Sequence, residues 1–369
     1  LAGEKEHVGT GGPAMTGPWI LYGANGYTGE LVARHAVARG HRPILAGRRA
    51  DAVSALADEL ALERRLFSLD EPAHIDAALA GMSLVLHCAG PFSRTSRPMA
   101  DACLRTGTHY LDVTGEVEVC EALLARDGEA RRADVMLLPG CGFEVVPSDC
   151  LALHLKERLP GARRLALVYG GFGPLSRGTA TTAVTGLGRG GLVRRGGALV
   201  PVPIATKTRV VDLGFGRTQV VALPLADLTT AWRSTGIPDV ETYFAASPRL
   251  RLLLRASRCL GPALASGPVQ RFLLARVRTG APGPSAEERR HGRAYVWGEV
   301  EDAEGRRAVS RLRTPDGYTA TAHAAVAVVE QVLAGHAPRG FQTPAQAYGA
   351  GLGLSLPDVV LTDDEPSVS

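Results

Sequence analysis

Gly23, Gly26 and Gly29 recur at three-residue spacing in GANGYTG, a pattern whose chemistry is the cradling of a pyrophosphate. Gly23 permits a tight turn, Gly26 lets the backbone approach the phosphates, and Gly29 lets the next helix pack close to its strand. Asn25, Tyr27 and Thr28 complete the turn and open a helix whose free N–H groups face an anion. About 20 residues on, where an NAD site carries an acid for the ribose 2′-hydroxyl, stand Arg48 and Arg49. Paired guanidinium groups suit a 2′-phosphate, so the predicted cofactor is NADP(H). Asp70 is expected to border the same nucleotide.

Hydride transfer also needs the nicotinamide fixed and a proton supplied. The loop Cys88-Ala89-Gly90-Pro91-Phe92 is expected to hold the nicotinamide ribose, because Ala89 and Gly90 permit close backbone approach. Cys88 reads either as a small buried residue or as an acid. Asp112 and Glu116, with Thr114 between them, are the candidates for positioning the carboxamide or relaying a proton. The competing reading makes Asp112 a helix cap. Glu144 and Asp149 flank a crossover, where hinge or substrate roles compete with capping.

These residues require a particular frame. Ile20–Tyr22 reads as a buried strand, Glu30–Arg39 as a helix, and Ile44–Ala46 as a second strand, the setting in which the glycine pattern binds a dinucleotide. Asp51 can cap a helix to Leu60, 65–69 is a short strand, and Pro72 opens another helix. Further strands are expected at 83–87, 109–112 and 135–138, with a helix near 98–105. The fold class is therefore α/β, a Rossmann-type doubly wound parallel sheet. The residues singled out, apart from Glu144 and Asp149 at the crossover, lie at carboxyl ends of its strands.

Beyond 147 the period changes. Alternating stretches at 165–169, 207–213, 218–223, 293–301 and 307–312 predict a second, α+β domain with a mainly antiparallel sheet. The expected division is a disordered leader 1–14, an NADP-binding domain 15–146 and a substrate domain 147–319. A C-terminal helical segment, 320–350, then returns to the first domain, and a tail covers 351–369, acidic and expected to be mobile after Pro357. Segment 179–191 gives a weak helical signal. In 249–260, a helix would place Arg251, Arg255 and Arg258 on one face and Leu250, Leu253, Leu254 and Leu260 on the other. That helix either packs on the sheet or touches lipid.

Composition narrows the classes. The chain has 369 residues, 45% hydrophobic, with a net charge of +4, so two domains are affordable and nucleic acid is not an expected partner. Lys5, Lys156 and Lys207 are its lysines, which disfavours Schiff-base chemistry. The six cysteines form no CxxC pair and lack histidines at zinc spacing, so no metal is expected and reduced thiols suit a cytoplasmic protein. No signal peptide or spanning run is visible. Tyr-x-x-x-Lys, GxSxG and HExxH are absent, which removes short-chain dehydrogenase, serine hydrolase and zinc protease readings.

Several stretches in order resemble the saccharopine dehydrogenase-like oxidoreductases, a family that includes the mycobacterial trans-acting enoyl reductases. They are GANGYTGELVA, LAGRR, HCAGPF, GTHYLDVTGE, PGCGFEVVPSD, SRGTATT, STGIPDVETY, TPDGYTATA and GFQTPAQAYG, from about Trp19 to Gly349. The resemblance implies a Rossmann domain, a sheet-containing second domain and a last segment packing back on the first. Two stretches depart from the family pattern: Cys141-Gly-Phe-Glu144 replaces GxGFD, and Leu223-Pro-Leu-Ala-Asp227 replaces an IPWGD-like run.

The expected function is reduction of a C=C, C=N or C=O bond in a moderately apolar small molecule, with Phe143, Phe172, Tyr243 and Phe244 lining the substrate side. The alternative is a non-catalytic NADP(H)-binding sensor. Peripheral lipid contact through Arg251, Arg255 and Arg258, and a homodimer, are further expectations.

Overall fold

All four side chains of β1 (Trp19–Tyr22) are buried, which requires a strand covered on both faces. In the computed structural model, which describes residues 17–171, 173–188, 190–365 and 367–368, β1 is central in a parallel sheet. β2 (Ile44–Gly47) and β3 (Arg64–Leu66) lie on one side of it. β4 (Leu84–His87), β5 (His109–Asp112) and β6 (Met136–Leu138) lie on the other. The order β6-β5-β4-β1-β2-β3 reverses between β1 and β4, the switch point outside which such sheets bind ligands. Register aligns Ala46, Tyr22, His87 and Asp112 in one row. The residues that follow them, Gly47, Gly23, Cys88 and Val113, therefore share one edge.

Helices cover both faces. On one, small residues of the Tyr27–Ala38 helix (Val32, Ala33, Ala36) pack with Ala325, Val326 and Val329 of the Gly317–Leu333 helix. Asp316 starts the latter by accepting from the Tyr318 N–H at 2.9 Å. The opposite face holds the Pro72–Leu79 and Phe92–Thr106 helices. Asp51 does not cap the Ala50–Leu60 helix: Arg49 occupies that position, and Asp51 sits in the first turn, where its charge still favours the helix dipole.

The Val146–Arg158 helix crosses to a second sheet. Its strands are β7 (Arg164–Gly170), β8 (Gly191–Arg195), β9 (Ala198–Val202), β10 (Thr208–Asp212), β11 (Arg217–Ala222), β12 (Asp239–Ala245), β13 (Arg293–Glu301) and β14 (Arg306–Pro315). The main path is β10-β11-β12-β7-β13-β14, antiparallel except where β7 meets β12. β8 and β9 form a hairpin on β12. Ser176 caps the Arg177–Gly186 helix through the Thr179 N–H, giving a defined helix where the sequence signal is weak.

The chain then returns to the first sheet, where β15 (Gly340–Phe341) pairs parallel to β6. The tail, expected to be mobile, instead adds β16 (Val360–Asp363) and β17 (Ser367–Val368) to β14. Arg158 and His154 bind the Asp363 carboxylate and Arg311 binds that of Asp364, so ion pairs hold an edge strand too polar to read as one.

Candidate cofactor site and acid cluster

The glycine turn has the steric properties its spacing predicts. Gly23 has φ +81°, and a Cβ there would meet Ala89 at 2.8 Å. A Cβ on Gly29 would stand 2.2 Å from the Gly23 carbonyl, so only glycine lets the helix approach this closely. Gly26 occupies the N-cap position of the Tyr27–Ala38 helix, and no side chain caps it. Its first-turn N–H groups are thereby left for an anion.

Beside the turn, Arg48 and Arg49 are exposed. With its amide oxygen turned toward Arg49, Asn25 accepts from Nη2 at 2.6 Å and Nε at 3.0 Å. Arg49 thus braces the turn, while Arg48 lies near Tyr22 and Asp70 at the ends of the same strands. Asp70 is exposed and accepts from Ser68 Oγ at 2.5 Å. The cradle, the uncapped helix start and two exposed guanidinium groups fit a phosphorylated dinucleotide.

Tyr27 does something the sequence did not suggest. Its hydroxyl donates to the Pro284 carbonyl and accepts from Arg289 Nη1 at 2.7 Å, and its ring stands edge-on to Tyr318 at 5.0 Å. The side chain therefore clamps the glycine turn to the second half of the chain, leaving its backbone N–H for the phosphates.

The Cys88–Phe92 loop divides in two. Gly90 is exposed, and a Cβ there would meet nothing closer than Phe92 at 3.5 Å, so protein packing does not demand glycine. Ala89, Gly90 and Pro91 form an open rim. Phe92, by contrast, is core, and its N–H is taken by Glu116 Oε1 at 2.8 Å. Burial, with Asp112 near, pushes the Cys88 thiol well up, so it is a poor acid.

The two carboxylates of the β5 edge are also engaged. Asp112 is fully buried: Oδ1 accepts from the Thr114 and Gly140 N–H groups, each at 2.9 Å, and Oδ2 from Tyr110 Oη at 2.7 Å. It clamps β5 to the loop after β6 and caps no helix, although burial holds it up at about 6. Glu116 binds the Phe92 and Ser93 N–H groups at 2.8 and 3.1 Å, closing a helix N-terminus that would otherwise face a ligand. Both carboxylates are thus engaged with donors of the protein itself.

A different acid cluster lies next to them. Glu144 crosses Gly115, and its carboxyl is raised by burial and by Glu116 beside it. The Glu144 carbonyl accepts from Tyr169 Oη, which also meets Asp227 Oδ2 and Ser148 Oγ, each at 2.6 Å. Ser148 Oγ stands 2.5 Å from Asp227 Oδ1. Tyr169 and Ser148 both reach the Asp227 carboxyl, which burial pushes up to about 7 against those two hydrogen bonds. The Ala226 N–H donates to the Gly115 carbonyl at 3.1 Å, so the stretches around Glu144 and Asp227, where the family pattern is broken, converge here. Asp149 is separate: it binds Ser234 Oγ at 2.6 Å and the Ala345 N–H at 2.8 Å, tying the crossover to the returning segment.

Phe143, Tyr243 and Phe244 do not form one apolar wall. Phe143 is in the core against Tyr169, and Tyr243 and Phe244, being consecutive in β12, point to opposite sheet faces. Phe172, and the side chains of Arg255 and Arg258, lie outside the described residues. Arg251 is half-buried and donates to the Ala246 carbonyl at 2.6 Å. Two surface hollows, of about 730 Å³ beside Tyr348 and 570 Å³ over Glu241, contain none of the strand-end residues.

Residues 19–138 match the family model of the saccharopine dehydrogenase NADP binding domain. The chain is similar to the trans-acting enoyl reductase of Mycobacterium leprae, 34% identical over 148 residues, covering 38% of this chain and 35% of that protein. It is likewise similar to that of Mycobacterium ulcerans, 32% identical over 147 residues, with 38% and 35% covered. The match thus spans about a third of the length of these relatives. Apo saccharopine dehydrogenase (L-Glu forming) from Saccharomyces cerevisiae shares the fold: TM-score 0.64, 94% of this chain and 100% of that chain covered, 11% identity.

Proposed function

We propose, on the premise that residues 19–138 are an NADP-binding domain of the saccharopine dehydrogenase family, that this chain is an NADP(H)-dependent oxidoreductase. The observation that carries this reading is the uncapped glycine turn with exposed Arg48 and Arg49 at its side. Backbone N–H groups of Tyr27–Gly29 would hold the pyrophosphate, the Gly26 N–H being turned back to the Gly23 carbonyl at 2.9 Å. Arg48 and Arg49 would hold the 2′-phosphate, and Ala89–Pro91 would border the nicotinamide ribose. When bound, NADPH supplies a hydride.

The chain's own residues must then supply a proton. Glu144 is the best-placed donor: a raised carboxyl at the junction of both halves, next to an ionisable neighbour that keeps its proton on. Asp227 and Tyr169 hold its backbone in place. The reaction is reduction of a C=C, C=N or C=O bond in a small, moderately apolar molecule. The relatives named enoyl reductase favour C=C.

NADPH oxidation followed against a panel of enoyl thioesters, imines and ketones tests this. Turnover with one bond class supports it. Intact NADPH binding with no turnover on any class would favour the sensor reading.

A further inference from the structure

The charge of this protein is unevenly distributed. Residues 158–286 contain 18 arginines and lysines against four acids, a net +14, while the rest of the chain is −10. Between Thr242 and Ala286 there is no acid at all. That stretch holds the helices Pro248–Leu264 and Gly267–Thr279, which stand on the second half of the chain.

The first helix buries Leu254 against Ala205 and Val221, buries Ser257 as well, and exposes Arg249, Leu252 and Leu253, three residues spaced to share one face. Leu253, expected on the packed side, faces out. Leu252 is 71% exposed, Leu253 63% and, on the second helix, Phe272 66%. Phe272 is flanked by exposed Arg271 and Arg276. Gln270 Nε2 fixes the pair by donating to the carbonyls of Val184 and Leu264, at 2.9 and 2.8 Å. Large exposed apolar side chains with exposed arginines on the same two helices, and no acid in either helix, match the boundary of an anionic bilayer, where the apolar tips enter the acyl region and the guanidinium groups meet headgroups.

We infer that this helical pair seats the protein peripherally on an anionic lipid surface. Among the described residues no helix is long and apolar enough to cross a membrane, so the attachment is interfacial. The opposite charge of the two portions orients the molecule with the helical pair toward the bilayer. The chain leaving the pair reaches the Tyr27 ring, against which Gly283 abuts. A substrate dissolved in the bilayer would thus meet the protein on the side where Tyr27 joins its halves. A nucleic acid duplex also attracts arginine, but has no use for protruding leucines.

The test is flotation of the full chain with phosphatidylglycerol–phosphatidylcholine vesicles, and with phosphatidylcholine alone, at low and high salt. The expected result is flotation on the anionic vesicles at low salt and release by salt. Arg249→Gln with Arg271→Gln and Arg276→Gln should weaken partitioning about fivefold per arginine. Leu252→Ser with Leu253→Ser and Phe272→Ser should abolish flotation. Both variants should keep the wild-type melting temperature and NADPH affinity, which separates lost docking from lost folding. Absence of wild-type flotation, or flotation of both variants equal to that of wild type, overturns the inference. So does a dimer that the serine variant dissolves without any vesicle binding, or retention on duplex DNA alone.

Discussion

Glu144 lies across Gly115 so closely that a Cβ on the glycine would stand 1.8 Å from Glu144 Oε2. A carboxyl raised by burial and by Glu116 keeps a proton to deliver at a higher pH than an ordinary glutamate does. Glu144→Gln should lower turnover by about a hundredfold or more while NADPH affinity stays the same. The wild-type rate should fall as pH rises through the raised Glu144 value, because only the protonated form donates. Gly115→Ala should reproduce the defect by displacing the carboxyl. A rate or pH profile unaffected by Glu144→Gln would remove it as donor.

Asp227 gives the fold a pH dependence of its own. Its folded value of about 7 lies above the ordinary aspartate value of about 3.9, so the folded state holds a proton that the unfolded state releases. The associated stability is fully present below about pH 4 and is lost as pH rises toward 7, a change of the order of a few kcal/mol. Urea midpoints measured across that range should show a shallower decline for Asp227→Asn than for wild type. Parallel curves would contradict the raised Asp227 value. Asp112, at about 6, contributes in the same direction and remains in the variant.

Two glycine substitutions separate packing from ligand contact. Gly29→Ala forces a Cβ onto the Gly23 carbonyl and should destabilise by about 1–3 kcal/mol, visible as a lowered melting temperature. Gly90→Ala meets no close protein atom, so its melting temperature should match wild type while NADPH binding weakens. Unchanged binding would move the ribose away from this rim.

The backbone parts of the site were legible because glycine spacing reports backbone geometry directly. β1, β2 and β4 were legible as short apolar runs ending in turn residues. β15 and β16 were not, since two to four residues carry no period and their partners β6 and β14 lie far away in sequence. The carboxylates show the same limit. Asp112 and Glu116 look alike as strand-end acids, yet one is clamped by Gly140 and Tyr110 and the other spent on the Phe92 N–H. The Ser148–Tyr169–Asp227 network joins three separate segments, and nothing in any one of them announces the other two.

The most direct measurement is calorimetric titration of wild type, Arg48→Ala and Arg49→Ala with NADPH and NADH. Wild type should prefer NADPH, and Arg48→Ala should weaken NADPH by about ten- to a hundredfold without affecting NADH. Arg49→Ala should weaken both, because Arg49 also braces Asn25 in the turn. Absence of wild-type binding to either nucleotide, or equal binding of NADPH by wild type and Arg48→Ala, would contradict the account.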